Sequence, residues 1–164
     1  MDRKAFDELV EERGPSIYRL CKAYCGASDE LDDVYQEVLI NIWKAISKFR
    51  GDSSLSTWIY RVTVNTAISH LRKQKSRPSG TDDMLESLEY DTSDLIYKQE
   101  REQQYNQLLN SIEQLKPEHR VIIGLYLEDL SYKEIAEIIG KDTNYVGVNI
   151  GRIKQKLTKL MQYG

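Results

Sequence analysis

An acidic segment near the middle of the chain separates two stretches that both have helical periodicity. Residues 81–94 carry six acidic side chains and no basic one, and the preceding run Ser-Arg-Pro-Ser-Gly at 76–80 breaks a helix that reaches it. Because like charges repel, we expect a flexible, partly extended linker that spans roughly 50 Å over about 15 residues. The chain therefore folds as two small domains, which can sit far apart on a common surface.

Both flanking stretches place apolar side chains three and four residues apart, which predicts an all-α protein. We expect one helical domain at residues 1–76, the linker at 77–92, and a second helical domain at 93–164. A chain of 164 residues can bury a modest core in each domain. No apolar run approaches 18 residues, so we expect no membrane segment and a cytoplasmic location.

Charge restricts the class of function. A net charge of −3 counts against a protein that holds nucleic acid by charge alone, because such binding needs a surplus of Lys and Arg to neutralise phosphates. The acidity is concentrated in residues 76–100, which carry seven acidic and two basic side chains. Either flanking domain can therefore still offer a locally basic surface.

The few cysteines and histidines do not form a metal-ligand set. Cys21 and Cys25 lie four residues apart on a predicted helix, far in sequence from His70 and His119. We interpret the cysteines as small buried hydrophobic residues, with a redox pair as the alternative. Neither histidine belongs to an evident acid–base constellation and no phosphate-cradling glycine loop is present, so we expect no cofactor and no enzyme.

The first half begins with three predicted helices. Asp2 caps the first, Gly14-Pro15 interrupts it, and the second helix stops at Gly26. The third starts at residues 28–30 and ends near Lys48. Its inner face consists of apolar side chains at helical spacing: Leu31, Val34, Val38, Ile42 and Ile46.

The opposite side of the third helix carries a mostly acidic patch. Asp33, Gln36 and Glu37 lie together there at helical spacing. Such a patch is either a solvated face or a docking surface for a partner with a basic surface.

A loop followed by a two-faced helix comes next. Gly51, Asp52 and the following serines supply turn chemistry, and Ser53 or Ser54 can cap a helix that starts near Leu55. One arc of this helix is predicted to be apolar and consists of Leu55, Ile59, Val62 and Thr66. A separate stripe combines an aromatic ring, two guanidiniums, an amide and a hydroxyl, and consists of Trp58, Arg61, Asn65, Ser69 and Arg72. These groups suit base stacking, phosphate pairing and base-edge hydrogen bonds, although a solvated helix face is the simpler alternative.

The second half ends in a helix-turn-helix pattern. A helix precedes Lys116-Pro117, another runs to Glu128-Asp129, and residues 130–146 then combine a capped short helix, a turn glycine at Gly140 and a return to the core at Val146. A plain helical hairpin is the alternative. The final helix would enter a major groove, where Arg152 can take a guanine edge or a phosphate and Asn149 an adenine edge or a phosphate.

With these features in this order, the whole chain resembles the extracytoplasmic-function sigma factors of bacterial RNA polymerase. Residues 32–43 are similar to the helix with which the family binds the polymerase clamp. Residues 49–52 and 57–61, with Asn65, are similar to the family's promoter-melting and minus-ten-reading segment. Residues 115–160 resemble the domain that reads the minus-thirty-five element.

The resemblance implies a role for each surface. Core polymerase would bind Asp33, Gln36 and Glu37, and the loop 49–56 would hold a base flipped out of the minus-ten element. The residues expected to meet that element are Phe49, Ser53, Ser54, Trp58, Arg61, Asn65, Ser69 and Arg72. Those expected at the minus-thirty-five element are Ser131, Lys133, Asn144, Asn149, Arg152 and Lys154. The acidic linker would occupy the polymerase's nucleic-acid channel, and an anti-sigma factor is an expected partner.

Two other functions compete with this interpretation. A stand-alone helix-turn-helix regulator would bind its promoter without polymerase, as a symmetric dimer. A polymerase-binding decoy would dock without starting transcription. The decoy is suggested by Gly147 and Asn149, which stand where family members commonly carry Lys or Arg.

Overall fold

A computed structural model describes residues 2–26, 28–75 and 96–163, and all regular structure in these ranges is helical. The elements are α1 Arg3–Cys25, α2 Leu31–Ala45, a 3-10 turn Ile46–Lys48, α3 Leu55–Lys75, α4 Ile96–Glu113, α5 Pro117–Leu127, α6 Tyr132–Ile139 and α7 Thr143–Tyr163. The prediction of an all-α protein is confirmed. The predicted linker at 77–92, and the start of the second domain at 93, lie outside the described residues.

Helix α1 is continuous, so the predicted break at Gly14-Pro15 is wrong. Asp2 caps it as expected, accepting from the Ala5 amide at 2.8 Å. A proline inside a helix costs about 3 kcal/mol, yet α1 runs through Pro15 because buried side chains on both sides of it hold the helix against its neighbours. Gly14 is buried there, and a Cβ at this position would come within 2.9 Å of the Tyr35 hydroxyl on α2.

The N-terminal core lies between α1, α2 and α3. The inner face predicted for α2 is confirmed in its middle, where Val34, Val38 and Ile42 are fully buried. Helix α3 packs against α1 and α2, and its Ser54 cap accepts from the Thr57 amide at 3.1 Å. The predicted start of α3 near Leu55 is therefore confirmed.

The C-terminal half contains the predicted helix-turn-helix. Pro117 opens α5, and α6 begins with a capping box in which Ser131 accepts from the Glu134 amide while Glu134 accepts from the Ser131 amide. Gly140 makes the turn at a positive φ of 69°. Val146 and Ile150 then return α7 to the core, so the helix-turn-helix prediction is confirmed.

The two halves pack against each other in this structure. Helix α5 lies on α1, where Gly124 lets the backbone approach Leu20 closely, and α6 lies on α3. Ion pairs and hydrogen bonds cross both contacts. Within the described ranges, no helix is both long enough and apolar enough to cross a membrane.

Substituting alanine for each of two glycines in the second half tests whether Gly140 lies in a turn and Gly151 in a helix. Gly140→Ala should destabilise the protein by about 1 kcal/mol, because φ is positive there and an L side chain is strained even though no atom lies close. Gly151→Ala should instead stabilise it by roughly 0.5–1 kcal/mol, because Gly151 lies inside α7 with open space around its Cα. Chemical denaturation of the two variants checks this, and shifts of the same sign would contradict the turn assignment.

Candidate nucleic-acid interface and partner surface

A stripe along the exposed side of α2 is acidic at one end and apolar at the other. Asp33 and Gln36 are exposed, and the same stripe continues three or four residues at a time to Ile40, 50% exposed, and Trp43, 43% exposed. Phe6 on α1 supports Trp43, with the two ring centroids 4.9 Å apart and edge to face. We call Asp33, Gln36, Ile40 and Trp43 the α2 stripe. Ile40 was not predicted as a binding residue. Its position outside the buried face of Val34, Val38 and Ile42 nevertheless indicated an exposed apolar side chain.

Glu37 lies beside this stripe and is tied to α3. Its Oε2 is 3.3 Å from Nδ1 of His70, whose Nε2 lies 2.7 Å from Oε2 of Glu30. Burial alone would lower the pKa of His70, but the hydrogen bonds to Glu30 and Glu37 and their negative charges raise it above 6.5. The imidazole ring of His70 therefore links Glu30 and Glu37 of the α2 region to α3.

The loop before α3 brings two aromatic rings together. Phe49 and Trp58 have ring centroids 5.5 Å apart with their planes tilted by 53°. Gly51 turns the loop at a φ of 78°, which side chains other than glycine rarely adopt. Ser53 is half-buried, and the Ser54 hydroxyl is occupied by the α3 cap. The loop thus presents an aromatic pair beside a structured turn.

The predicted stripe on α3 is exposed along its C-terminal half only. Asn65, Ser69 and Arg72 are exposed, whereas Trp58 and Arg61 are half-buried. Arg61 donates from Nη2 to Glu137 of α6 at 3.4 Å, and its Nε is buried with no hydrogen-bond partner. Arg61 of the stripe therefore faces α6 in this structure.

The apolar arc predicted for α3 is only partly correct. Ile59 and Thr66 are buried and Val62 is half-buried, but Leu55 is 38% exposed, although Thr57 in the same first turn is buried. Tyr60 and Val64, outside the predicted arc, are also buried. Helix α3 is covered by α1, α2 and α6 together, so its buried surface is wider than one arc.

On α7, Asn144 and Arg152 are exposed as predicted, but Asn149 is not. The side chain of Asn149 is 7% exposed, and its amide donates to the Tyr145 carbonyl at 2.8 Å. The base or phosphate contact predicted for Asn149 therefore does not fit this geometry, because its polar atoms are already engaged within the domain.

Lys154 is held in place by aromatic residues of the neighbouring elements. Its Nζ donates to the Tyr126 hydroxyl at 2.9 Å and lies 4.4 Å from the centroid of the same ring, which in turn lies against Tyr132. Lys133 is exposed, and the Ser131 hydroxyl accepts from the Glu134 amide in the α6 cap. Lys133, Arg152 and Lys154 thus give the helix-turn-helix three cations for phosphates or base edges.

The cysteines have the environment of buried hydrophobic residues. Burial raises the pKa of Cys21 to about 12 and that of Cys25 to about 11, which disfavours the reactive thiolate. Both thiols are free. In the part of the chain that the structure describes, no group of three or more His, Cys, Asp or Glu side chains is placed to hold a metal ion.

Two family models match successive parts of the chain. Residues 9–77 match Sigma-70 region 2, and residues 105–157 match Sigma-70, region 4. The first range contains the α2 stripe and all of α3, and the second contains the helix-turn-helix.

Curated relatives match almost the whole chain. The RNA polymerase sigma-H factor of Pseudomonas aeruginosa is 32% identical over 98% of this chain and 88% of its own length. The ECF RNA polymerase sigma-E factor of Escherichia coli strain K12 is also 32% identical, with the same two coverages. Both are therefore similar along both halves and in the same order.

Solved structures share the fold. CnrH, in complex with the cytosolic domain of CnrY, has a TM-score of 0.64 and 21% identity, and covers 99% of this chain and 90% of its own. The sigma factor RpoE of Bartonella quintana, in complex with the anti-sigma factor NepR, has a TM-score of 0.73 and 22% identity. The match covers 97% of this chain and 98% of that one.

The pKa of His70 should lie above the ordinary histidine value of 6.5, and the pKa of His119 should lie below it. The pKa of His70 is raised by Glu30 and Glu37, so the stabilisation from these contacts is complete below about pH 6.5 and is lost as the pH rises through the folded pKa. Burial, and then the charge of Lys116, lowers the pKa of His119. Histidine titration by NMR checks both directions. Glu37→Gln should lower the His70 midpoint and leave His119 unchanged, and a wild-type His70 midpoint at or below 6.5 would contradict the contact.

Proposed function

Because the chain belongs to the extracytoplasmic-function sigma factors of RNA polymerase, we propose that separate exposed surfaces bind core polymerase, the minus-ten element and the minus-thirty-five element. The protein is a sigma factor that binds core polymerase, recognises and helps melt promoter DNA, and directs transcription initiation. The presence of both sigma regions on one chain favours this function over a stand-alone helix-turn-helix regulator. The residue roles below rest on the geometry of each surface.

The α2 stripe is the proposed core-binding surface. Asp33 and Gln36 offer acceptors to basic residues of the polymerase clamp, while Ile40 and Trp43 supply apolar area that would leave water on docking. Glu37 contributes a further carboxylate, which its contact with His70 holds in place. Charge would guide the encounter and the apolar end would slow dissociation.

The observation that carries the promoter assignment is the exposed stripe of Asn65, Ser69 and Arg72 on α3, which lies in helical register with the half-buried ring pair of Trp58 and Phe49. Flipping a base out of the duplex costs a few kcal/mol, which stacking and edge contacts in the loop 49–56 would offset. Ser53 and Ser54 border that loop. Arg61, Asn65 and Ser69 would face bases and backbone next to it.

The helix-turn-helix is the proposed reader of the minus-thirty-five element. Lys133 and Lys154 would meet phosphates, and Asn144 and Arg152 would reach base edges from the exposed side of α7. The Ser131 amide is bonded to Glu134 and its hydroxyl accepts from the Glu134 amide, so the O–H of that hydroxyl is the group that would donate to a phosphate. Asn149 stabilises the domain from within.

Further properties follow from this proposal. The chain acts by binding and is not an enzyme, and it works in the cytoplasm beside RNA polymerase. An anti-sigma factor is the expected inhibitory partner, since a similar sigma factor was solved with one. The proposed domains are residues 1–76 for core and minus-ten binding and 93–164 for minus-thirty-five binding, with the acidic linker 77–92 passing through the polymerase's nucleic-acid channel.

Charge reversal on the α2 stripe tests the core-binding surface. Asp33→Arg with Gln36→Arg should weaken binding to core RNA polymerase by about tenfold or more, because two cations would then meet a basic surface. Glu102→Arg with Gln104→Arg is the matched control, since it makes the same change of charge on exposed positions of α4. Equal affinities of the two variants for core polymerase in a fluorescence-anisotropy titration would show that the α2 stripe is not the core-binding surface.

Run-off transcription with core polymerase and a library of promoter fragments tests the α3 stripe. Asn65→Ala should shift or weaken promoter choice by roughly 5- to 100-fold, the range expected for losing one base contact, while core binding stays intact. Asn106→Ala removes an exposed amide from α4 and serves as the control. If Asn65→Ala transcribes the same promoters at wild-type level, Asn65 does not read the promoter.

A further inference from the structure

The outward face of α7 is centred on an apolar side chain. At about 100° per residue, Val148 lies on the side of the helix opposite its buried residues. Those buried residues are Val146, Asn149, Ile150, Ile153 and Leu157. Val148 is 44% exposed, and the exposed Asn144 and Arg152 lie one turn before and one turn after it. The exposed face of α7 therefore carries a polar, an apolar and a polar side chain at steps of four residues.

The fold of α7 does not depend on a valine at this position. A β-branched side chain loses χ1 freedom in a helix, so valine has a lower helix propensity than alanine. Val146 of the same helix is 0% exposed and packs in the core, whereas Val148 points away from it. Val148→Ala should therefore fold, and the apolar surface of Val148 is available to whatever α7 binds.

Glycines leave one flank of Val148 without side chains. A Cβ added at Gly151 would meet no atom within 4 Å, so the surface there is open. A Cβ added at Gly147 would lie 3.4 Å from the ring of Tyr132, which shows that α6 places an aromatic side chain beside α7 at this point. A short side chain such as valine reaches a base only where the helix lies deep in the groove. The bare backbone at these two glycines permits that close approach.

The base edges of the major groove differ in what they offer to an apolar side chain. Thymine presents a 5-methyl group there, whereas the other characteristic groups of the four bases are hydrogen-bond donors and acceptors. Valine can neither donate nor accept, so its side chain leaves such groups without a partner when it excludes water from them. Against a thymine methyl, the same side chain removes apolar surface from water. Both effects favour thymine opposite Val148.

We propose that Val148 is a specificity-determining residue of the helix-turn-helix, and that it requires a thymine in the minus-thirty-five element through contact with the 5-methyl group. The thymine would lie between the bases that Asn144 and Arg152 contact. This inference rests on the proposed role of α7 and deepens it. The centre of the reading face is thus an apolar contact, and hydrogen bonds from the two polar neighbours set its register.

Transcription by holoenzyme, assembled from the full chain and core polymerase, gives the first test. The templates are barcoded promoter fragments with a randomised minus-thirty-five region, and sequencing of the transcripts gives the base preference at each position. Wild type should prefer thymine at the position that Val148 contacts. Val148→Ala should lose that preference alone and keep the preferences at the other positions. An unchanged base profile for Val148→Ala would overturn the proposal.

Leu109→Ala is the matched control for this substitution. It also truncates an exposed apolar side chain to alanine, but on α4 and outside the helix-turn-helix. Its base profile should be that of wild type. Loss of the same thymine preference in Leu109→Ala would show that the effect does not come from Val148, and would also overturn the proposal.

Deoxyuridine gives the sharper readout, because it differs from thymidine in DNA only by lacking the 5-methyl group. Each thymine of the preferred minus-thirty-five element, on either strand, is replaced in turn. One replacement should lower initiation by wild-type holoenzyme roughly fourfold, the factor that corresponds to exposing one methyl group. The same replacement should leave initiation by Val148→Ala unchanged. Equal losses for the two proteins, or no sensitive thymine for wild type, would overturn the proposal.

Failure of the proposed function has a different result in the same experiment. If wild type initiates from no fragment of the library, the proposed function is wrong and the role of Val148 falls with it. If wild type initiates from a discrete set of promoters and no thymine distinguishes it from Val148→Ala, only the role of Val148 is wrong.

Discussion

Burial of α3 on three sides is the constraint on which the rest of the structure depends. Helices α1, α2 and α6 all pack against it, and Thr57, Thr63 and Thr66 of α3 are buried in these contacts. Thr63 returns its hydroxyl to the Ile59 carbonyl at 2.9 Å, and Thr66 accepts from Asn41 at 3.1 Å. Because these buried polar groups are satisfied, the helix can be covered at little cost. What remains exposed is a narrow polar stripe, and this stripe is the surface proposed for the promoter.

The two kinds of contact in the molecule have different physical character. Each half has an apolar core, as shown by fully buried Ile17 and Val38 in the first half and Ile135 and Ile153 in the second. Between the halves, the contacts include several ion pairs and hydrogen bonds, such as those of Glu128 and Glu137. The buried apolar residues of both halves belong to one cluster, so apolar burial joins the halves as well as stabilising each of them. The exposed charge pairs between the halves add an interaction that salt screens.

Local chemistry in the sequence predicted most of the helices correctly. The cap at Asp2, the start at Pro117, the box that begins at Ser131 and the turn at Gly140 all involve neighbours within a few residues, so they can be identified without the fold. The break predicted at Gly14-Pro15 failed for the opposite reason. Local propensity favours a break there, but tertiary burial of α1 on both sides of the proline outweighs it. The burial predicted for Leu55 is also wrong, because a position on an apolar arc does not say which side chains of the first turn the neighbouring helices cover.

The helical fold class, the helix-turn-helix and the polar stripe of α3 can be predicted from the residues alone, because each follows from periodicity and capping over a short stretch. Which of the polar side chains are exposed depends on how helices far apart in sequence pack together. Asn149 turns inward to the Tyr145 carbonyl, and Arg61 meets Glu137 from 76 residues away. The physical reason is that a hydrogen bond depends on distance in space, and for residues far apart in sequence that distance is set by the packing of whole helices.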